Sequence, residues 1–176
     1  AWKLNSEKTT LKFIEGQDGV YPILKTGSPY TTGAQLQGWK GGVSCLGVNQ
    51  SQTLAFDFTA PSAGDYVAVV NYYNRTAAAA AKIKVGETEF VLPMGTDTVK
   101  GWDTYTLGTY TLADGEMANT IEITQVPASN ASNTEKAKAT MIRSITFTKI
   151  DYDSASINLE DGALFTTASD PVALAV

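Results

Sequence analysis

The sequence predicts an all-β chain folded as an antiparallel β-sandwich, on three observations. Apolar and polar residues alternate with period two in several short runs, and clusters of turn residues separate those runs. The one stretch with a helical look, residues 77–81 (all alanine), is too short to stand as an independent helix. Short strands divided by turns favour a sandwich over βαβ units, and no solenoid-type repeat interrupts them.

Taken in order, Leu11, Phe13 and Ile14 mark an opening strand, followed by a loop rich in Gly, Pro and Thr. Leu54, Phe56 and Phe58 alternate with Ala55, Asp57 and Thr59, the pattern of a half-buried strand. Residues 61–65 (Pro-Ser-Ala-Gly-Asp) form a turn, because proline fixes φ and glycine tolerates positive φ. A Val- and Tyr-rich strand covers 66–73. Ile83 and Val85 share one face of the next strand, Gly86-Glu87 reverses the chain, and Phe90 and Leu92 return it as a hairpin ending at Pro93. Strands follow over 105–112, 121–126 and 142–150, punctuated by Asp114-Gly115 and the polar segment 129–135. Alternation fades after 150. The expected organisation is one sandwich domain over 1–150, best defined over 33–150, with 151–176 as added strands or a linker.

Composition excludes several functions. The 13 basic and 18 acidic residues leave a net charge of −5 with no basic cluster, so the electrostatic footprint of a nucleic-acid binder is missing. Histidine is absent, which removes Ser-His-Asp and Cys-His catalysis and imidazole metal sites. The single cysteine, Cys45, lies between apolar neighbours and reads as a small core residue. No run approaches the roughly 18 apolar residues of a membrane span, so no membrane insertion is expected. Ala1-Trp2-Lys3 opens without the charged-then-apolar pattern of a signal peptide, as a segment trimmed from a longer secreted protein would.

The aromatic residues carry the functional expectation. Sugar rings offer axial C–H groups that pack on an indole or phenol face, while their hydroxyls need in-plane donors and acceptors. Trp102 lies between Gly101 and Asp103, Tyr73 precedes Asn74 and Arg75, and Trp39 stands among glycines beside Lys40. The competing reading is that Trp39 and Trp102 plug the ends of the core. Trp2 reads as a terminal packing residue. Glycoside cleavage needs two carboxylates facing across a cleft, and the scattered Asp residues sit among turns where Asp is favoured for local hydrogen bonding, so no enzyme is expected. No cofactor is required, although oxygen-rich stretches with Glu15 and Asp18, and with Asp151 and Asp153, are weak candidates for a structural calcium ion.

From about 33 to 150 the order of landmarks resembles bacterial carbohydrate-binding modules of the family 6 and family 35 type, in the galactose-binding-like sandwich group. The landmarks are Gly38-Trp39-Lys40-Gly41-Gly42, Leu54-Ala55-Phe56-Asp57-Phe58, Ala63-Gly64-Asp65-Tyr66 and Asn71-Tyr72-Tyr73-Asn74. Lys84-Val85-Gly86, Gly101-Trp102-Asp103-Thr104-Tyr105, Asn119-Thr120-Ile121-Glu122-Ile123 and Ser144-Ile145-Thr146-Phe147 continue the series. The resemblance implies a jelly roll that binds polysaccharide in loops at one end, with Trp102, Tyr73 and Asn74 at the site and Trp39, Lys40 and Arg75 nearby. It also implies a secreted or cell-surface protein with further domains in the same chain.

Two departures stand out. Where the families commonly carry an Asn and an Asp for ligand and calcium, this chain has Met141-Ile142-Arg143, and Phe13-Ile14-Glu15-Gly16 offers one carboxylate where they have paired glutamates. With only Lys40 and Arg75 near the expected site, uncharged glycans such as α-glucans, β-mannans or xylans are favoured over uronates. The alternative function is a spacer or adhesin module of a bacterial surface protein with no sugar site.

Overall fold

A computed structural model describes residues 3–14, 16–27, 35–39, 43–47, 53–74, 79–93, 101–127 and 141–152. Eleven strands are built from them, and among the described residues there is no helix. In chain order they are β1 (Lys3–Lys12), β2 (Ile23–Leu24), β3 (Gln35–Trp39), β4 (Val43–Gly47), β5 (Thr53–Phe58), β6 (Gly64–Asn74), β7 (Ala79–Val85), β8 (Thr88–Leu92), β9 (Gly101–Leu112), β10 (Asn119–Pro127) and β11 (Met141–Asp151).

Two antiparallel sheets face each other, one ordered β1-β11-β6-β9 and the other β2-β5-β10-β7-β8. From β5 onward the chain crosses between sheets at each connection except the β7–β8 hairpin, which is the jelly-roll pattern. The expected all-β sandwich is therefore what forms. β3 and β4 make a separate hairpin whose second strand lies against β11.

Alternation explains which residues fill the space between the sheets. Leu54, Phe56 and Phe58 of β5, with Ile121 and Ile123 of β10 and Ile83 of β7, are all at most 3% exposed. Tyr66, Ala68 and Val70 of β6 and Ile145 and Phe147 of β11 meet them from the other sheet, each fully buried. Phe58 stacks on Phe147 across the gap, with centroids 5.3 Å apart. Tyr110 is a fully buried ring with a polar tip, and its hydroxyl donates to the Ile83 carbonyl at 2.7 Å.

The sequence-based strands are found, with longer limits. Ala79–Ala81 are the first residues of β7, and Ala81 is buried, so this part of the alanine run is strand; Ala77 and Ala78 lie outside the described residues. The two-residue turn at Gly86-Glu87 has Gly86 at φ +61°, and Val85 pairs with Thr88 across it. In the 61–65 turn the Tyr66 hydroxyl donates to the Ser62 carbonyl at 2.9 Å, and Lys149 Nζ donates to Ser62 Oγ at 2.6 Å.

The opening strand differs from expectation. It spans Lys3–Lys12, and Phe13 and Ile14 lie just beyond its end although both are buried. The lysines and threonines of 3–12 hide its alternation, because β1 is an edge strand whose outward positions are polar. The side chain of Cys45 and the segment 153–176 lie outside the described residues.

Candidate functional site

The residues that matter sit where β11, β6 and β9 run side by side at one end of the four-stranded sheet. Tyr73 near the end of β6 pairs with Trp102 near the start of β9. Their rings meet edge to face, with centroids 5.3 Å apart and planes at 76°. Tyr66, Ala68, Val70 and Tyr72 of β6 face the core, so Tyr73 points outward, and its partner Trp102 points outward with it. Tyr73 is 9% exposed, Trp102 is half-buried, and the two form a small cluster apart from the main core.

Two bulges create this arrangement. In β9 the pairing with β6 skips from Gly108 to Thr106, leaving Leu107 as the extra residue. On one side of Leu107 the even positions Tyr110 and Leu112 are buried in the core; on the other side Trp102 and Thr104 face out. An added residue reverses which face each later side chain takes, so without it Trp102 would turn toward the interior side.

In β11 the pairing with β6 skips from Ile142 to Ser144, which places Arg143 in the second bulge. Arg143 is anchored through its carbonyl, which accepts from Phe13 N at 3.1 Å. Its side chain reaches past β6, and the guanidinium carbon lies 4.0 Å from the Trp102 ring centroid.

The polar groups beneath this cluster are incompletely paired. Arg143 Nε and Asn71 Oδ1 are both buried without a hydrogen-bond partner. Asn71 is two residues before Tyr73 on the same face and pairs with Ser144, itself 8% exposed. Among the described residues no carboxylate lies within ion-pair distance of Arg143. Asp103 follows Trp102 but lies on the other side of the sheet, paired with Tyr72, and its Oδ1 accepts from Thr104 N at 2.8 Å. Burial, and secondarily the charge of Asp103, raises the pKa of the Tyr72 hydroxyl above the ordinary phenol value.

Of the sugar-site residues named from sequence, Trp102 and Tyr73 come together. The expected loop position of Trp102 is corrected, since it lies within β9. Asn74 is the last residue of β6, paired with Gly101, and Trp39 ends β3; the side chains of both lie outside the described residues. Lys40 and Arg75 also lie outside them. Arg143 was missed: in the sequence it marks only a departure from the expected Asn and Asp, and nothing in Met141-Ile142-Arg143 announces a bulge.

The metal candidates divide in the same way. Glu15 and Asp153 lie outside the described residues. Asp18 belongs to a segment that folds back along β1, where Val20 N donates to Thr10 O at 2.9 Å, whereas Asp151 pairs with Lys3 at the far end of that strand. Some eight strand residues, roughly 27 Å at about 3.4 Å each, separate those positions, so Asp18 and Asp151 cannot share an ion. Among the described residues no group of three or more acidic, Cys or His side chains is placed to hold a metal.

A cleft of about 430 Å³ opens at the opposite end of the sandwich, lined by Lys25, Thr111, Asn119, Thr120 and Glu122 among others. No aromatic ring lines it, and Lys25 is already paired with Asp57 at 3.3 Å. The cleft lacks the stacking surface that a sugar ring requires, so the Tyr73–Trp102 end is the stronger candidate.

No protein-family model matches the chain, and no curated protein matches it. Solved structures do. A family 35 carbohydrate-binding module from an environmental isolate superposes with a TM-score of 0.50 at 18% identity, covering 81% of this chain and 95% of that one. The C-terminal family 6 module of a laminarinase from Zobellia galactanivorans gives 0.47 at 15% identity, covering 81% and 99%. The GH26-CBM35 β-(1,4)-mannanase from Podospora anserina gives 0.48 at 18% identity over 85% of this chain, which spans 29% of the mannanase's length. The fold is that of the carbohydrate-binding-module β-sandwich.

Proposed function

We propose that this chain binds polysaccharide or oligosaccharide without chemistry, through the outward end of the four-stranded sheet formed by Tyr73, Trp102 and Arg143. The observation that carries the reading is the aromatic pair itself: a half-buried indole and a phenol clustered outside the main core, beside a guanidinium with donors to offer. The shared fold of carbohydrate-binding modules supports it. An indole, a phenol and a guanidinium do not make up the pair of carboxylates, about 5 to 10 Å apart, that most glycoside hydrolases use.

The role is to hold a larger secreted or cell-surface protein against a glycan, raising the effective concentration of the domains attached to it. A shallow site buries little area, so affinity is modest. The sequence-based preference for uncharged glycans rested on the scarcity of cations near the site; Arg143 adds one at the ring. Probing a glycan array with the isolated chain tests the proposal, with Trp102→Ala as control: specific signals that the variant loses support it.

One observation favours the alternative of a spacer or adhesin module without a sugar site. Arg143 already covers one face of Trp102, as it would if the ring were a packing residue. An array without signal, together with a large loss of stability in Trp102→Ala, decides for that alternative.

A further inference from the structure

Arg143 is the feature that neither the sequence pattern nor the resemblance anticipates. The guanidinium carbon lies over the indole, 4.0 Å from its centre, and a guanidinium holds all its N–H donors in one plane as a fixed fork. Nε is buried and unpaired, whereas neither Nη is among the buried unpaired atoms. With no carboxylate of the described chain within ion-pair distance, this cation keeps its fork of donors for a planar anion.

The same residue bears on calcium. The resemblance places an amide and a carboxylate for ligand and metal just before the closing strand, and this chain has a fixed positive charge there. A divalent cation needs several oxygen donors and is repelled by an adjacent guanidinium, so the residues present do not fit it.

We infer that Arg143 is the specificity-determining residue of this site: it supplies from the chain itself the positive charge that holds a carboxylate-bearing sugar beside Trp102, and no metal ion takes part. This rests on the glycan-binding reading above. The bulge in β11 places the side chain, the guanidinium sits over the Trp102 ring, and Tyr73 packs edge to face with that ring. Selectivity follows, because a neutral ring offers hydroxyls to the fork but no charge to offset it.

The test is calorimetric titration with a glucuronate-bearing xylo-disaccharide and with neutral xylobiose, each in EDTA and in millimolar calcium. The unmodified protein, Arg143→Gln and Arg143→Lys are compared, with circular dichroism confirming that each is folded. The expected result is acidic binding at least tenfold tighter than neutral binding and unchanged within about twofold by EDTA. Arg143→Gln lowers acidic affinity tenfold or more and neutral affinity by less than about threefold; Arg143→Lys keeps the charge without the fork and falls between. Should Arg143→Gln fail to fold, the lysine variant and the chelator arms decide. Acidic binding abolished by EDTA, or equal affinity for both sugars, overturns this inference and leaves glycan binding standing. Failure of every sugar on the wider array overturns both.

Discussion

The guanidinium carbon of Arg143 lies 4.0 Å from the centre of the Trp102 indole, although the two residues come from strands that are not neighbours. β6 runs between them and contributes Tyr73, whose ring meets the indole edge to face. Two chain irregularities make the contact: the extra residue Leu107 turns Trp102 outward, and the bulge at Arg143 lets its side chain reach past β6. Three side chains from three strands thus form one surface feature outside the main core.

That placement sets the expected behaviour of Trp102→Ala. Because the ring is half-buried and lies outside the main cluster, its loss costs about 1–2 kcal/mol, against the ~3–5 kcal/mol expected for an aromatic-to-alanine change such as Phe147→Ala. Urea unfolding measures both. A Trp102→Ala cost equal to that of Phe147→Ala would make the indole a core residue.

Tyr110→Phe removes a buried polar tip and leaves the Ile83 carbonyl without the phenol donor it receives at 2.7 Å. The expected loss is about 1–2 kcal/mol in urea unfolding, with the m-value unchanged.

The same ring gives the fold an alkaline limit. Burial, then the charge of Glu89, raises the Tyr110 pKa well above the ordinary phenol value, and burial raises that of Tyr72. An unfolded phenol ionises near about pH 10. Above that pH the unfolded chain releases protons that the folded chain retains, so this contribution is complete below about pH 10 and declines as pH rises. Urea midpoints measured from pH 8 to 11 are expected to fall above pH 10, and less steeply in Tyr110→Phe.

Gly108→Ala tests the packing beside the β9 bulge. Gly108 has φ +152°, and a methyl group there would stand 2.5 Å from Phe90 Cζ. Phe90 is wedged between that glycine and Tyr110, whose ring it meets edge-on at 5.2 Å. The substitution costs about 1–3 kcal/mol by thermal or urea unfolding, and a second change, Phe90→Leu, recovers part of it.

Much of the architecture was legible in the sequence, because alternation survives wherever a strand has one buried face. Leu54-Phe56-Phe58, Ile83-Val85 and Ile121-Ile123 announce their strands, and Gly86-Glu87 announces its hairpin. The first residues of β9 were not legible. Gly101-Trp102-Asp103-Thr104 reads as a loop, and continuing the alternation back from Leu112 and Tyr110 would aim Trp102 inward. A bulge changes that parity through backbone hydrogen bonding to β6, which sequence spacing alone does not encode. Tyr73 and Trp102 were identifiable as aromatics beside polar residues, but their pairing depends on register between strands separated by the β7–β8 hairpin. Arg143 had no local signal, since its role comes from position across three strands.

The most direct measurement follows the indole N–H resonances of Trp2, Trp39 and Trp102 by ¹⁵N-edited NMR, assigned by substitution, as oligosaccharides that score on the array are added. Glycan capture at the Tyr73–Trp102–Arg143 end predicts a saturable shift of the Trp102 signal that fits the same affinity as calorimetry. A Trp102 signal that stays fixed while the glycan binds, or binding undiminished in Trp102→Ala, would contradict it.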